Sequence, residues 1–277
     1  MTHPARPILA AVLLALGCAA PTDQPPPEAT PTTAWQAPAM PDGPLGASVQ
    51  RGLAILTATA DSLPDHVGND LRCTSCHLDN GTRPNAMPWI GVYGRFPQYR
   101  SREARVATLA DRINGCLRRS MNGRALPADD DRMRDMVAYM AWLSTGQPTG
   151  ARFDGQGVPK VEALAGDTAH GAAVWQASCA RCHGPEGAGS DLAPPAWGPR
   201  SFNIGAGMAR IRTAAGFIRH NMPFDQPGTL SETDAVDVAA YLTSRPRPDF
   251  AGKENDWPRG DAPPDAAYPT RGTGATP

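Results

Sequence analysis

The sequence predicts a mainly helical protein made of two small domains in tandem, and three observations carry that prediction. Cys73-Thr74-Ser75-Cys76-His77 and Cys179-Ala180-Arg181-Cys182-His183 are two copies of one cysteine-histidine motif. Apolar residues recur mostly at helical spacing, and alternating strand-like runs are scarce. The halves also repeat one another: a helix with Arg51-Gly52 or His170-Gly171, the motif, a Pro-containing loop, and a helix ending in Tyr139-Met140 or Tyr241-Leu242.

Each motif is a covalent haem-attachment site. Thiols at i and i+3 add across the two vinyl groups, and the adjacent histidine becomes the proximal iron ligand. Cys73, Cys76 and His77 are thus assigned to one haem c, and Cys179, Cys182 and His183 to a second. The fold class that follows is mainly α, with two class I cytochrome c-like domains in tandem. Gly171 and Trp175 precede Cys179 at the spacing of the haem-contacting opening helix of that class, whereas extra residues 61–70 separate the first opening helix from Cys73.

Taken in order, residues 1–18 read as an export signal: Arg6 precedes a short apolar stretch, Ile8 to Leu16, too short to span a bilayer. Leu14-Ala15-Leu16-Gly17-Cys18 resembles a lipobox, so Cys18 is a candidate for lipidation, the one expected route to a membrane; ordinary cleavage near Ala20 is the alternative. Both predict a periplasmic protein. Residues 19–45 form a Pro-rich tether. Domain 1 is expected over 46–146, with helices near Ala47 to Ala60 and Asp129 to Leu143, the second starting on acidic residues that suit the helix dipole. A Gly-rich linker, 147–165, leads to domain 2 over 166–246, with helices near Thr168 to Ser178 and Glu232 to Thr243, the latter behind a Ser231 cap. The Pro-, Asp- and Gly-rich tail, 247–277, is expected to be extended or disordered.

Composition fits small haem domains. Aromatic residues are 6% of 277, while Gly (28) and Pro (30) are abundant, poor material for a large sheet. A net charge of -1, with no basic run, argues against nucleic acid as a partner.

The sixth ligands come from the register of the repeat. Met222 lies 39 residues after His183 (222 - 183), and Cys116 lies 39 after His77 (116 - 77). Met222 sits in Asn221-Met222-Pro223-Phe224, a Met-Pro pairing suited to placing a thioether on iron. Haem 2 is therefore predicted to be His183/Met222 and haem 1 His77/Cys116, a thiolate that lowers the potential and brings a nucleophilic sulfur to the metal. Met121 and Met208 do not fit the register and read as core residues. Arg95, Arg100, Arg102, Arg105, Arg112, Arg118 and Arg119 crowd the segment leading to and past Cys116, which implies an anionic substrate.

Phe96-Pro97-Gln98-Tyr99-Arg100, Asp111-Arg112-Ile113-Asn114-Gly115-Cys116, Arg119-Ser120-Met121-Asn122-Gly123 and Asn221-Met222-Pro223-Phe224 together resemble the bacterial dihaem thiosulfate dehydrogenases. The resemblance implies oxidation of two thiosulfates to tetrathionate, with electrons leaving through haem 2 to a soluble cytochrome c or another high-potential acceptor. It implies that Cys116 is the haem 1 thiolate, that Met222 ligates haem 2, and that Arg102, Arg112 and Ser120 line the substrate site. Where some members carry a ligand-switching lysine, this chain has Asn221, so no switch is expected. A dihaem electron carrier, the haem subunit of a thiosulfate-conjugating sulfur-oxidation complex, and less readily a dihaem peroxidase share parts of the pattern.

Overall fold

The computed structural model describes Met1 and residues 35–271. The export signal, Cys18, the tether to residue 34 and residues 272–277 lie outside the described residues.

In the first half, α1 (Gly43–Thr57) is followed by a single turn, α2 (Thr59–Ser62), a turn carrying Cys73–Ser75, and the short α3 (Leu78–Gly81). A two-stranded antiparallel hairpin, β1 (Gln98–Arg100) and β2 (Arg105–Ala107), precedes α4 (Leu109–Arg119) and α5 (Asp131–Leu143). In the second half, α6 (Thr168–Val174) widens at Trp175–Cys179 into α7 (Ala180–His183), and α8 (Ile211–Asn221) and α9 (Glu232–Ser244) follow. The mainly helical, two-unit prediction agrees with this order; the hairpin is too short to have left a sequence signal.

Helix ends follow local chemistry. Thr108 and Asp111 form a reciprocal capping box that starts α4. Asp130 caps α5, and Ser231 accepts from the Asp234 amide at the start of α9. The expected opening helix of domain 2 ends as α-helix at Val174, and its continuation takes the wider i to i+5 spacing, with the Ala180 amide bonded to Trp175.

The duplication is visible in how each opening helix crosses its closing helix. A Cβ on Gly52 would lie 2.0 Å from the Asp135 carbonyl oxygen, and one on Gly171 2.0 Å from that of Asp237; Tyr139 and Tyr241 stand at the two crossings. Only glycine permits this approach. A Gly171→Ala variant is expected to lose about 3 kcal/mol of stability, read as a lower urea midpoint by circular dichroism.

Beside each glycine a basic side chain pairs with that same aspartate. Arg51 donates to Asp135 at 2.8 Å, and His170 Nδ1 lies 2.8 Å from Asp237. The hydrogen bond to Asp237 raises the His170 pKa, with Asp234 and Asp167 adding to it. Because the folded value exceeds the unfolded one, this stabilisation is fully present below about pH 6.5 and is lost as pH rises through the folded value. A His170→Ala variant should lack that part of the pH dependence in urea titrations at pH 6 and pH 8.

The two halves are knitted together. Phe202, Ala206 and Ala209, from the second half of the chain, are buried in the core of the first, with Leu56, Leu117, Met133 and Leu143. Asn69 Nδ2 donates to the carbonyls of Ser120 and Ser201, Asn122 to Ser201, and Asn203 to Arg118. These amides satisfy carbonyls that the seam removes from water. The linker also pairs: the Asn85 and Met87 amides donate to the Gly155 and Gly157 carbonyls.

Of the tail expected to be extended or disordered, residues 247–271 are extended but packed. Within 247–271, Trp257 and Tyr268 are buried. Asp256 accepts from both terminal nitrogens of Arg119 at 2.7 and 2.8 Å and from the Tyr268 hydroxyl at 2.6 Å. Arg119 also stacks on Phe250, and Arg102 on Trp257. Composition allowed disorder, but two aromatics and one carboxylate suffice to strap the segment across α4 and the seam.

Candidate haem and substrate site

The first site is built between α4 and the Cys73–His77 turn. On α4, Leu109, Ile113 and Leu117 point into the core. Arg112, Cys116 and Ser120, each four residues on, form the adjoining ridge, and all three line one cavity. Arg112 donates from Nη1 to the Cys116 sulfur at 2.7 Å.

Opposite that ridge stands His77. Its Nδ1–H donates to the Met87 carbonyl at 2.7 Å, and its ring rests on Trp89 at a centroid distance of 4.8 Å. Committing Nδ1 to a carbonyl leaves the Nε2 lone pair free for a metal. His77 and Cys116 line the same cavity, one from the motif turn and the other from α4. Burial pushes the Cys116 thiol up, but the Arg112 charge, the neighbouring His77 and the Arg112 hydrogen bond outweigh it and leave the value at about 6. The group is thus mostly thiolate at neutral pH. Cys73 and Cys76, which as free thiols stand for thioether sulfurs, are instead pushed up to about 12 by burial. Two attachment thiols, an oriented imidazole and an opposing thiolate line this cavity together with Leu56, Leu71, Trp89, Met121 and Met140. That donor set fits a covalently held haem c, for which His77 and Cys116 are the candidate iron ligands.

The second motif histidine is held in the same way. His183 Nδ1–H donates to the Pro194 carbonyl at 2.8 Å, and burial lowers the ring's pKa, favouring the neutral ligand form. Trp175 lies 5.7 Å from His183, and Trp197 meets Tyr241 edge-on as Trp89 meets Tyr139. Cys179 and Met222 both pack against the second core. Met222 caps α8, and Asn221 beside it is fully buried, donating to the Asn85 and Phe217 carbonyls. Met208 packs with Phe217, Met87 and Met222 in a small cluster between the halves.

Of the substrate-lining candidates, Arg112 and Ser120 face the first cavity. Arg102 is not among its lining residues: it donates to the Gly205 carbonyl at 2.6 Å and stacks on Trp257, and burial pulls its pKa down to about 10. Its place is the strap. Sequence reasoning missed the carbonyls of Met87 and Pro194, Trp89, Trp197, and the lining residues Gln98 and Gln156. The tryptophans had a signal, each following its motif histidine by 12 or 14 residues behind a proline (89 - 77; 197 - 183).

Two family models match the chain, one described as SoxA/TsdA, cytochrome c domain, over residues 66–149, the other as cytochrome C oxidase, cbb3-type, subunit III, over residues 166–242. A thiosulfate dehydrogenase of Allochromatium vinosum is 48% identical over 268 residues, which is 92% of this chain and 97% of the relative. The chain belongs to the thiosulfate dehydrogenase family. A thiosulfate dehydrogenase of Psychrobacter arcticus is 47% identical over 82% of this chain and 71% of its own length. The solved thiosulfate dehydrogenase (TsdBA) of Marichromatium purpuratum, as isolated, matches with a TM-score of 0.75 and 40% identity over 82% of this chain. The match takes in 53% of that protein, so this chain spans about half of its length. As a thiosulfate dehydrogenase family member, the chain is a two-domain c-type cytochrome with two covalently bound haems. Among the described residues, no helix is long and apolar enough to cross a membrane.

Proposed function

We propose that the protein oxidises two thiosulfates to tetrathionate in the cavity between His77 and Cys116, passing two electrons to an external cytochrome. The observation that carries this reading is the position of Cys116, opposite His77 and beside Arg112, at the repeat register that Met222 occupies in the second half. When bound, haem 1 supplies a low-potential and haem 2 a higher-potential electron acceptor, as a thiolate and a thioether ligand require.

The chain's own residues bind and neutralise. One bond forms, between the terminal sulfurs of the two thiosulfates, and no proton is taken up or released. The barrier lies in bringing two dianions together, and fixed cations lining the cavity lower it. Arg112 is half-buried and fixed to the Cys116 sulfur, and Ser120 adds a hydroxyl one turn further along the ridge. Cys116, held anionic by Arg112, is the candidate haem 1 ligand beside that site.

Incubating the haem-loaded protein with thiosulfate and ferricyanide tests the reading. The expected result is one tetrathionate per two ferricyanide consumed. No turnover with both haems intact would leave an electron carrier or a thiosulfate-conjugating subunit. The acceptor is read as a soluble cytochrome c and the compartment as the periplasm. A lipid on Cys18 belongs to the same proposal; mass spectrometry finding a mature chain that starts at Ala19 or later would remove it.

A further inference from the structure

We propose that Arg95, Gln98 and Arg100 form a second anion subsite in the haem 1 cavity, which takes the sulfonate end of the second thiosulfate. The proposal rests on the thiosulfate-oxidising reading of this cavity and deepens it.

Most arginines in the segment are already engaged. Arg105 pairs with Asp111, Arg119 with Asp256, Arg102 with the Gly205 carbonyl, and Arg118 with the Asn114 carbonyl. Among the described residues, Arg95 and Arg100 have no carboxylate within salt-bridge distance, and both line the cavity. Arg95 goes further: its Nε is buried with no hydrogen-bond partner. A buried cationic donor without an acceptor is costly, and an anion entering the cavity removes that cost.

The backbone presents these side chains as a set. Arg95 ends a short turn, Tyr93–Arg95, and β1 follows at once. On β1, Gln98 and Arg100 are two residues apart and share the face that lines the cavity, while Tyr99 between them points outward, 48% exposed. The pairing of Gln98 with Ala107 and of Arg100 with Arg105 fixes which face turns inward. Burial and the neighbouring charges of Arg152, Arg100 and Arg112 depress Arg95, and burial with Arg112 depresses Arg100, so these cations repel one another. Glu103 acts on Arg100 and Arg112 but offsets only part of that charge.

Tetrathionate carries a sulfonate at each end, so a site that assembles it needs two cationic anchors. Arg112 and Ser120 lie beside Cys116 and serve one end. Arg95 and Arg100, with Gln98 between them, offer forked donors to the other, the geometry that best matches tetrahedral oxyanions. A haem propionate presents the same anionic-oxygen chemistry, and the test separates the two.

The test uses the haem-loaded Arg95→Gln/Arg100→Gln variant, with half-saturating thiosulfate and the haem 1 midpoint potential as paired readouts. The expected result is a rise of about tenfold to a hundredfold in half-saturating thiosulfate, with haem content and potential unchanged. The Arg95→Lys/Arg100→Lys variant should recover part of the loss, since lysine restores charge but not the fork. Unchanged half-saturation overturns the proposal: with a shifted potential the arginines belong to a propionate, and without one they are solvated surface charges. If the unsubstituted protein makes no tetrathionate, the functional reading fails separately. Thiosulfate titrated calorimetrically into both proteins then decides the subsite, equal affinities overturning it.

Discussion

A haem-loaded Cys116→Met variant is expected to keep both haems, to show a higher haem 1 midpoint potential, and to form tetrathionate about a hundredfold more slowly or worse. Attachment survives because it depends on Cys73 and Cys76, which lie on a different element from α4. The potential rises because a neutral thioether favours ferric iron less than an anionic thiolate does. Turnover falls because Arg112 loses the anion it is fixed to, and the cavity loses a thiolate beside the substrate site. A spectroelectrochemical titration run beside the ferricyanide assay measures both effects. Turnover equal to the unsubstituted protein would remove the thiolate from the reaction, leaving Cys116 a ligand or a packing residue only.

An Asp256→Asn variant is expected to lose about 3–5 kcal/mol of stability, because it leaves the buried Arg119 charge without its counter-ion. Only 12% of the Arg119 side chain and 7% of Asp256 is exposed, so water cannot replace the lost carboxylate. Tyr268 loses a charged acceptor in the same step. Urea unfolding followed by far-ultraviolet circular dichroism measures the change. The double variant Arg119→Met/Asp256→Leu should return close to the unsubstituted midpoint, since apolar replacement of a buried pair costs little. A midpoint unmoved in Asp256→Asn would mean that the tail adds nothing to the fold. Because α4 carries Arg119 one turn beyond Cys116, loosening the strap should also weaken thiosulfate oxidation, which the same preparations can report.

The sequence by itself determined what short-range chemistry encodes. Two CxxCH motifs fix haem attachment, because the vinyl spacing requires thiols three residues apart. The common offset of Cys116 and Met222 fixes the candidate sixth ligands, because a duplicated domain keeps its distances along the chain. Capping by Asp130 and Ser231 and the glycines at the helix crossings are equally local or repeated. The tertiary structure alone decided which arginines are engaged and which are not. Arg102, Arg105 and Arg119 look alike in sequence to Arg95 and Arg100, yet the first three meet partners at Gly205, Asp111 and Asp256. Two of those partners lie more than a hundred residues away in the chain. The tail's order and the Asn69, Asn122 and Asn203 seam have the same origin. A charge or an amide acquires its meaning from whatever burial brings beside it, and no period or spacing in the chain records that distance.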